Sequence, residues 1–228
     1  MRVISALKEL SSFVFSINIE EKSIGFVPTM GALHKGHLSL IRRSIEENNV
    51  TIVSIFVNPL QFNDSKDLEK YPRTLREDLD LLRNLSVDIV FTPSEKDFYN
   101  TKPLVSINFG GMAQRLEGKF RKGHFEGVGV VVSKLLHLAM PSKAYFGLKD
   151  LQQYLLIKQM CQDLSFPCEI VGVETEREPS GLALSSRNRR LSTEGLEVAS
   201  NIYKGLTIIE EGIRLEKSLE SLLSKAKL

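Results

Sequence analysis

An α/β domain built on a parallel sheet is the fold this sequence predicts, and three observations predict it. Short β-branched runs alternate with amphipathic helical patterns along most of the chain. Residues 50–57 (VTIVSIFV) form a nearly continuous apolar run, as in a strand covered on both faces. Polar loops bearing Gly, His, Asn or Lys fall where a strand gives way to a helix, which is where open parallel sheets bind ligands.

Taken in order, Val3, Leu7, Leu10 and Val14 recur at helical spacing and predict an N-terminal helix. Residues 24–27 (IGFV) predict a strand stopped by Pro28. Leu38, Ile41 and Ile45 mark a helix, residues 50–57 a strand, and Leu75, Leu79, Leu82 and Leu85 a second helix. Residues 87–91 (VDIVF) predict a strand and residues 127–139 a long helix. A short strand at 144–146, a helix at 151–164 and a strand at 168–173 follow.

A chain of 228 residues accommodates one large domain, or one domain with a small appendage. The texture changes after Arg190, where Glu, Lys and Leu dominate and Gly195, Gly205 and Gly212 punctuate. The expected boundaries are therefore 1–190 for the α/β domain and 191–228 for a helical part that opens an incomplete further domain.

Apolar residues at 42% and charged residues at 25% are ordinary for a soluble globular protein. A net charge of +2 supplies no global basic field, so neither nucleic acid nor an anionic membrane is an expected partner. Lys8 and Glu9 interrupt the N-terminal apolar pattern, which therefore does not read as a signal peptide. No run approaches the roughly 20 apolar residues that span a bilayer. Cys161 and Cys168 are too few and wrongly spaced for a thiolate metal site, and read as buried thiols of a reducing compartment. Cytoplasmic residence is the expectation.

Five loops carry candidate chemistry. Residues 28–37 (PTMGALHKGH) lie between the first predicted strand and the next helix. His37 falls in the first helical turn, where free N–H groups and the dipole favour an anion. His34 and His37 suit nucleotide phosphates better than a metal, because a zinc site needs further ligands and none is near in sequence. In residues 54–62 (SIFVNPLQF), Gln61 could read a substrate hydroxyl and carboxylate, or Asn58 and Gln61 could simply satisfy loop backbone. In residues 146–153 (FGLKDLQQ), Lys149 could reach phosphate, Asp150 is placed to cap a helix, and Gln153 lies one turn in. Residues 181–189 (GLALSSRNR) suit a phosphate clamp of Ser185, Ser186 and Arg187, or an exposed basic turn. His124, in a polar Gly-rich loop, reads as functional or loop-ordering, and His137 as a hydrogen-bonded core histidine. Neither a P-loop nor a GxGxxG fingerprint is present.

Together PTMGALHKGH, SIFVNPLQF, YPRTLREDL, GHFEGV, AYFGLKDLQQ and GLALSSRN resemble the pantoate–β-alanine ligase (pantothenate synthetase) family, in its order and over residues 24 to about 191. The resemblance implies a Rossmann-like nucleotidyltransferase fold with an HxGH signature. It implies ATP-dependent joining of pantoate to β-alanine through a pantoyl adenylate, in a homodimer using Mg²⁺. By resemblance Met30, Gly31, Ala32, Leu33, His34, Lys35, Gly36 and His37 line the ATP site, with His37 the proton donor and His34 and Lys149 beside it in catalysis. Gln61 and Gln153 hold pantoate, and Gln61 also borders β-alanine. Gly147, Leu148, Lys149 and Asp150 bind nucleotide, Glu176 stands beside the adenine, and Leu184, Ser185, Ser186 and Arg187 close over phosphates. Asp78 is a candidate Mg²⁺ ligand. Lys122, Gly129, Ser180 and Glu176 depart from the family's usual residues. The family continues into a small C-terminal lid domain, of which residues 191–228 would be the start. Two alternatives stand beside this reading: another HxGH nucleotidyltransferase, and a nucleotide-binding module whose incomplete lid prevents full turnover.

Overall fold

The computed structural model describes residues 1–215 and 218–226, and its chain divides by internal packing into two compact units. The first comprises residues 1–33 and 37–174. Its elements are β1 (Arg2–Ile4), α1 (Leu7–Ile19), β2 (Ile24–Thr29), α2 (Lys35–Glu47), β3 (Val50–Ile55), α3 (Ser65–Glu69), α4 (Leu75–Asn84) and β4 (Ile89–Phe91). These are followed by α5 (Glu95–Phe98), α6 (Leu116–Phe120), α7 (His124–Ala139), β5 (Lys143–Gly147), α8 (Leu151–Asp163) and β6 (Glu169–Val173). The second unit, residues 34–36 and 175–228, holds α9 (Thr193–Arg214) and α10 (Leu219–Ala226).

All six strands are parallel, in the order β1-β4-β3-β2-β5-β6. Burial on both faces explains the apolar runs: Ile52 of β3 packs with α1 and α7, while the next residue, Val53, packs with α2 and α4. Strand order reverses between β2 and β5, so the loops leaving these two neighbours flank the switch point where such sheets bind ligands.

Several boundaries differ from the sequence reading, and three of the differences have a clear physical reason. Val3 belongs to strand β1 rather than to a helix; its partners Ile89–Phe91 lie far along the chain, beyond any local periodicity. Pro28 does not stop β2, which runs on to Thr29. The Thr29 carbonyl accepts from Phe56 N at 3.0 Å, so Thr29 faces β3 and the Pro28 backbone faces the β5 side. Pairing with β5 involves only Gly25 and Phe26, so the missing N–H interrupts no ladder. Helix α7 begins at His124, three residues before the apolar pattern, because Gly123 at φ +79° turns the chain into it.

The internal packing divides the chain after Glu174, earlier than the change of texture at Arg190. Residues 175–190 form a small turn in which Leu184 N donates to the Glu176 carbonyl at 2.9 Å and Arg177 bridges Ala183. The Arg177 guanidinium lies 4.3 Å from the centre of the Tyr203 ring of α9, and a Cβ on Gly181 would meet that same ring. Among the described residues no helix is long and apolar enough to cross a membrane. Cys161 is buried and Cys168 half-buried, and burial pushes their thiols up to about 11 and about 12.

At the amino end of the sheet Glu47 ties α2 to β5. Its carboxylate meets Arg43 Nε at 2.8 Å, Lys143 Nζ at 3.0 Å and the buried Tyr145 hydroxyl at 3.0 Å. The hydrogen bonds from Arg43 and Lys143 hold its pKa down to about 2. A depressed carboxyl contributes its stability above the ordinary value, 4.5, and loses it as pH falls towards 2. Glu47→Gln is therefore expected to cost about 1 kcal/mol at neutral pH. Urea midpoints of the two proteins should converge as pH falls from 4.5 towards 2. A constant gap across that range would show that the charge contributes nothing.

Candidate functional site

The loop leaving β2 is held by side chains from elsewhere in the first unit. Gly31 and Ala32 are both left-handed, at φ +79° and +51°. Gly31 N donates to Thr29 Oγ1 at 3.2 Å, and that hydroxyl donates to the Ser54 carbonyl at 2.7 Å. Ala32 N and Leu33 N donate to the two carboxylate oxygens of Asp78, at 3.0 and 2.8 Å, and Thr74 Oγ1 adds a third bond at 3.2 Å. Asp78 is only 1% exposed. Its carboxylate, the candidate Mg²⁺ ligand of the sequence reading, here accepts from three protein donors. Among the described residues no three His, Cys, Asp or Glu side chains are grouped to hold an ion.

From this turn the chain enters α2, and His37 stands in its first turn, half-buried. His34, Lys35 and Gly36 pack with the second unit, where Gly36 N donates to His34 Nδ1 at 3.2 Å. A Cβ on Gly36 would lie 3.8 Å from Leu184 Cβ, so this segment and the Leu184–Arg187 loop are neighbours. In that loop Ser185 Oγ accepts from Arg187 N at 3.3 Å and Ser186 is buried. The loop is therefore ordered rather than a free basic turn. Glu176 is exposed, its carbonyl bonded to Leu184 N.

Gln61 lies in a 3-10 turn, Pro59–Gln61, beyond the carboxyl end of β3 and is only 9% exposed. Asn58 organises this turn. Its Oδ1 accepts from Leu60 N at 3.2 Å and from the Tyr99 hydroxyl at 3.0 Å. Its Nδ2 reaches Gln61 Oε1 and the Gly127 carbonyl, each at 3.1 Å. Gln61 Nε2 is 3.0 Å from Met30 Sδ, a weak acceptor. The Gln61 carboxamide is thereby fixed in direction, with one N–H and one oxygen lone pair still to be used. Asn58 thus bonds loop backbone through Leu60 N and the Gly127 carbonyl, and in doing so holds the Gln61 carboxamide.

His124 orders the same turn, its Nδ1 lying 2.8 Å from the Gln61 carbonyl and its Nε2 3.3 Å from Arg121. A carbonyl only accepts and a guanidinium only donates, so the ring carries its proton on Nδ1. Gly127 allows α7 to press on the turn: a Cβ there would sit 2.2 Å from the Leu60 carbonyl oxygen. Tyr99 is set beside Phe56 and Phe98, and burial raises its hydroxyl pKa well above the ordinary value. The sequence reading passed over Tyr99 and the packing role of Gly127. The glycine stood inside a flagged motif, whereas nothing local marked the tyrosine.

At the end of β5, Gly147–Asp150 turn into α8, with Lys149 and Asp150 exposed and Gln153 half-buried. Asp150 occupies the N-cap position but makes no capping bond, contrary to expectation. The 3-10 turn gives it φ −99° and ψ 56°, outside the extended region a cap uses, and its carboxylate instead takes Lys149 Nζ at 2.8 Å. His137 is hydrogen-bonded, through Nδ1 to the Ser133 carbonyl at 3.1 Å, but it lies on the exposed side of α7 rather than in the core.

A doubly covered parallel sheet with a pinned glycine turn and a histidine at a helix start beside its switch point defines a Rossmann-like nucleotide-binding enzyme. The Pantoate-beta-alanine ligase family profile matches residues 2–228, and the chain belongs to that family. It is accordingly a carbon–nitrogen ligase that joins pantoate to β-alanine at the expense of ATP. A pantothenate synthetase of Cytophaga hutchinsonii is 49% identical over 214 residues, covering 94% of this chain and 76% of that relative. A solved pantothenate synthetase of Thermus thermophilus superposes with a TM-score of 0.94 at 41% identity, over 100% of this chain and 81% of its own. A pantoate-beta-alanine ligase from Francisella tularensis, complexed with beta-gamma ATP and beta-alanine, gives 0.90 at 45% identity over 99% and 85%. A match spanning residues 2–228 sets aside the alternative of a different HxGH nucleotidyltransferase.

Proposed function

We propose that the ligation runs in two half-reactions through an acyl adenylate. In the first, a pantoate carboxylate oxygen attacks the α-phosphorus of ATP in line, and the bond to pyrophosphate breaks. In the second, the β-alanine amine attacks the acyl carbon of pantoyl adenylate, AMP departs with the electrons of the C–O bond, and the amine loses a proton. Neither step needs a covalent bond to the protein, so its tasks are orientation and neutralisation of phosphate charge.

The observation that carries this reading is the aimed, buried carboxamide of Gln61, with one donor and one acceptor left for a ligand. Pantoate offers a matching pair in its hydroxyl and carboxylate, with Gln153 as the second pantoate contact. The amine of β-alanine is assigned beside Gln61, and a relative complexed with beta-alanine supports that substrate. Met30, Gly31, Ala32, Leu33 and His37 of the first unit are assigned to ATP, as are Gly147, Leu148, Lys149 and Asp150. Of the second unit's residues, His34, Lys35, Gly36, Glu176, Leu184, Ser185, Ser186 and Arg187 are assigned to the nucleotide. His37 donates a proton or hydrogen bond to the phosphate oxygens as their charge grows, and Lys149 acts there as a point charge. Mg²⁺ belongs to the proposal as the ion carried by ATP on phosphate oxygens and water, which needs no cluster of protein ligands. Homodimerisation and cytoplasmic residence rest on the family resemblance. Leu104, Val105 and Phe120 of the first unit present apolar surface that a second copy would cover.

The test is isotope exchange. Labelled pyrophosphate should enter ATP only when pantoate is supplied, and adding β-alanine should then yield pantothenate and AMP. Exchange that ignores pantoate would remove the adenylate pathway.

A further inference from the structure

Asp78 is a buried carboxylate for which the two half-reactions have no use. Its surroundings say what it does. With Gly31 and Ala32 both left-handed, the backbone N–H groups of Ala32 and Leu33 turn inward to one carboxylate. Such a concave row of amides is an anion-binding nest, the arrangement with which loops elsewhere grip phosphates. Here the occupant is the protein's own carboxylate, delivered from α4, 46 residues away from Ala32 in sequence. A left-handed alanine costs roughly 1–2 kcal/mol and persists only where its surroundings over-determine it. Asp78 and Thr29 supply that determination, binding the consecutive amides of residues 31, 32 and 33.

We propose that Asp78 is a positioning residue of the ligase reaction. It fills the nest with a built-in anion, fixes the backbone at residues 31–33, and so sets the direction in which the chain departs towards His37. Because the amides of residues 31–33 are already satisfied, these three N–H groups turn away from the substrate, and the chain beyond them delivers the histidine side chain. The proposal rests on the assignment of His37 to ATP. It also accounts for Thr74, whose hydroxyl donates to the same carboxylate oxygen as Ala32 N, and for a glycine at position 31. A Cβ on Gly31 would come within 3.0 Å of Asp78 Oδ2.

The geometry also supplies an unusual test. Beside the carboxylate is a cavity of about 250 Å³, bordered by Gly31, Arg73, Thr74, Asp78, Thr92 and Glu95. Truncation to alanine leaves a vacancy the size of formate, with this cavity as its route in. Asp78→Ala and Asp78→Asn are therefore to be compared with the wild-type chain in pantoate-dependent pyrophosphate exchange, with sodium formate or sodium chloride at equal ionic strength. Misplacing a reacting group by about 1 Å can cost about 10²-fold, so kcat of Asp78→Ala is expected to fall at least about 30-fold while KM for ATP moves less than about threefold. Formate, but not chloride, should restore its kcat several-fold and leave the wild type unaffected. Asp78→Asn is isosteric but turns an NH₂ against one nest amide, so it should be impaired and insensitive to formate. Wild-type kcat in Asp78→Asn overturns the proposal, even if Asp78→Ala fails to fold. A folded Asp78→Ala that keeps its kcat, or that formate cannot rescue, overturns it as well. Failure of the reaction assignment itself is seen separately, as absence of pantoate-dependent exchange in the wild type, and the proposal falls with it.

Discussion

Replacing His37 by alanine is expected to lower pantoate-dependent pyrophosphate exchange by about 10²–10³-fold, the scale of losing one preorganised donor to a developing oxyanion. The effect should appear in kcat, with ATP affinity within about threefold of wild type, because the interaction strengthens as charge builds on the leaving pyrophosphate. In the structure His37 occupies the first turn of α2, after a turn pinned by Thr29 and Asp78. Its removal leaves those bonds intact, so the fold and the nest should survive the change. Exchange kinetics together with ATP titration by calorimetry make the comparison. Unaltered kcat would take His37 out of the chemistry, and a purely raised KM would reduce it to a binding contact.

Gly127→Ala is expected to damage both stability and pantoate use. The added methyl would stand 2.2 Å from the Leu60 carbonyl oxygen and 2.8 Å from Gln61 N, both of them backbone and neither able to rotate away. Helix α7 or the Pro59–Gln61 turn must retreat by about 1 Å, and overpacking of this kind costs about 1–3 kcal/mol. Retreat of the turn also loosens the bond from Asn58 Nδ2 to the Gly127 carbonyl and tilts Gln61. A drop in kcat/KM for pantoate of about 10²-fold follows, because orientation of the acid is what Gln61 supplies. The thermal midpoint should fall by several degrees. Gly111→Ala, with nothing within 4 Å of its added methyl, is the control expected to match wild type. If Gly127→Ala keeps both the wild-type midpoint and the pantoate KM, the close approach has no functional consequence.

What was legible in the sequence depended on how locally each feature is determined. Strand β3 could be read because burial on both faces writes itself into consecutive residues, and Gln61 because a carboxamide after an apolar strand and a proline is conspicuous. Strand β1 could not, since three residues carry no period and Arg2 pairs with Ile89. The placement of Gln61 depends on His124, 63 residues away, and that of the glycine turn on Asp78, 45 and 46 residues away. Spacing within a motif does not reveal such distant partners. Asp150 shows the opposite error: a favourable residue at the right position did not cap, because the preceding turn set the wrong dihedral angles.

The strand order also dictates a schedule for the growing polypeptide. The central pair β2 and β3 are close in sequence and can associate as soon as both have been made, whereas β1, synthesised first, must wait for its partner Ile89–Phe91. The other edge of β2 stays open until Lys143 and Ala144 arrive, and β6 closes the sheet last. Non-local parallel pairing of this kind is slow and leaves sticky edges exposed meanwhile. Weakening the β2–β3 pair is accordingly expected to slow folding, and losses along β6 chiefly to hasten unfolding, which stopped-flow refolding of variants in each would measure. The Gly31–Leu33 turn, although it begins two residues after β2, cannot take its final shape until α4 has delivered Asp78.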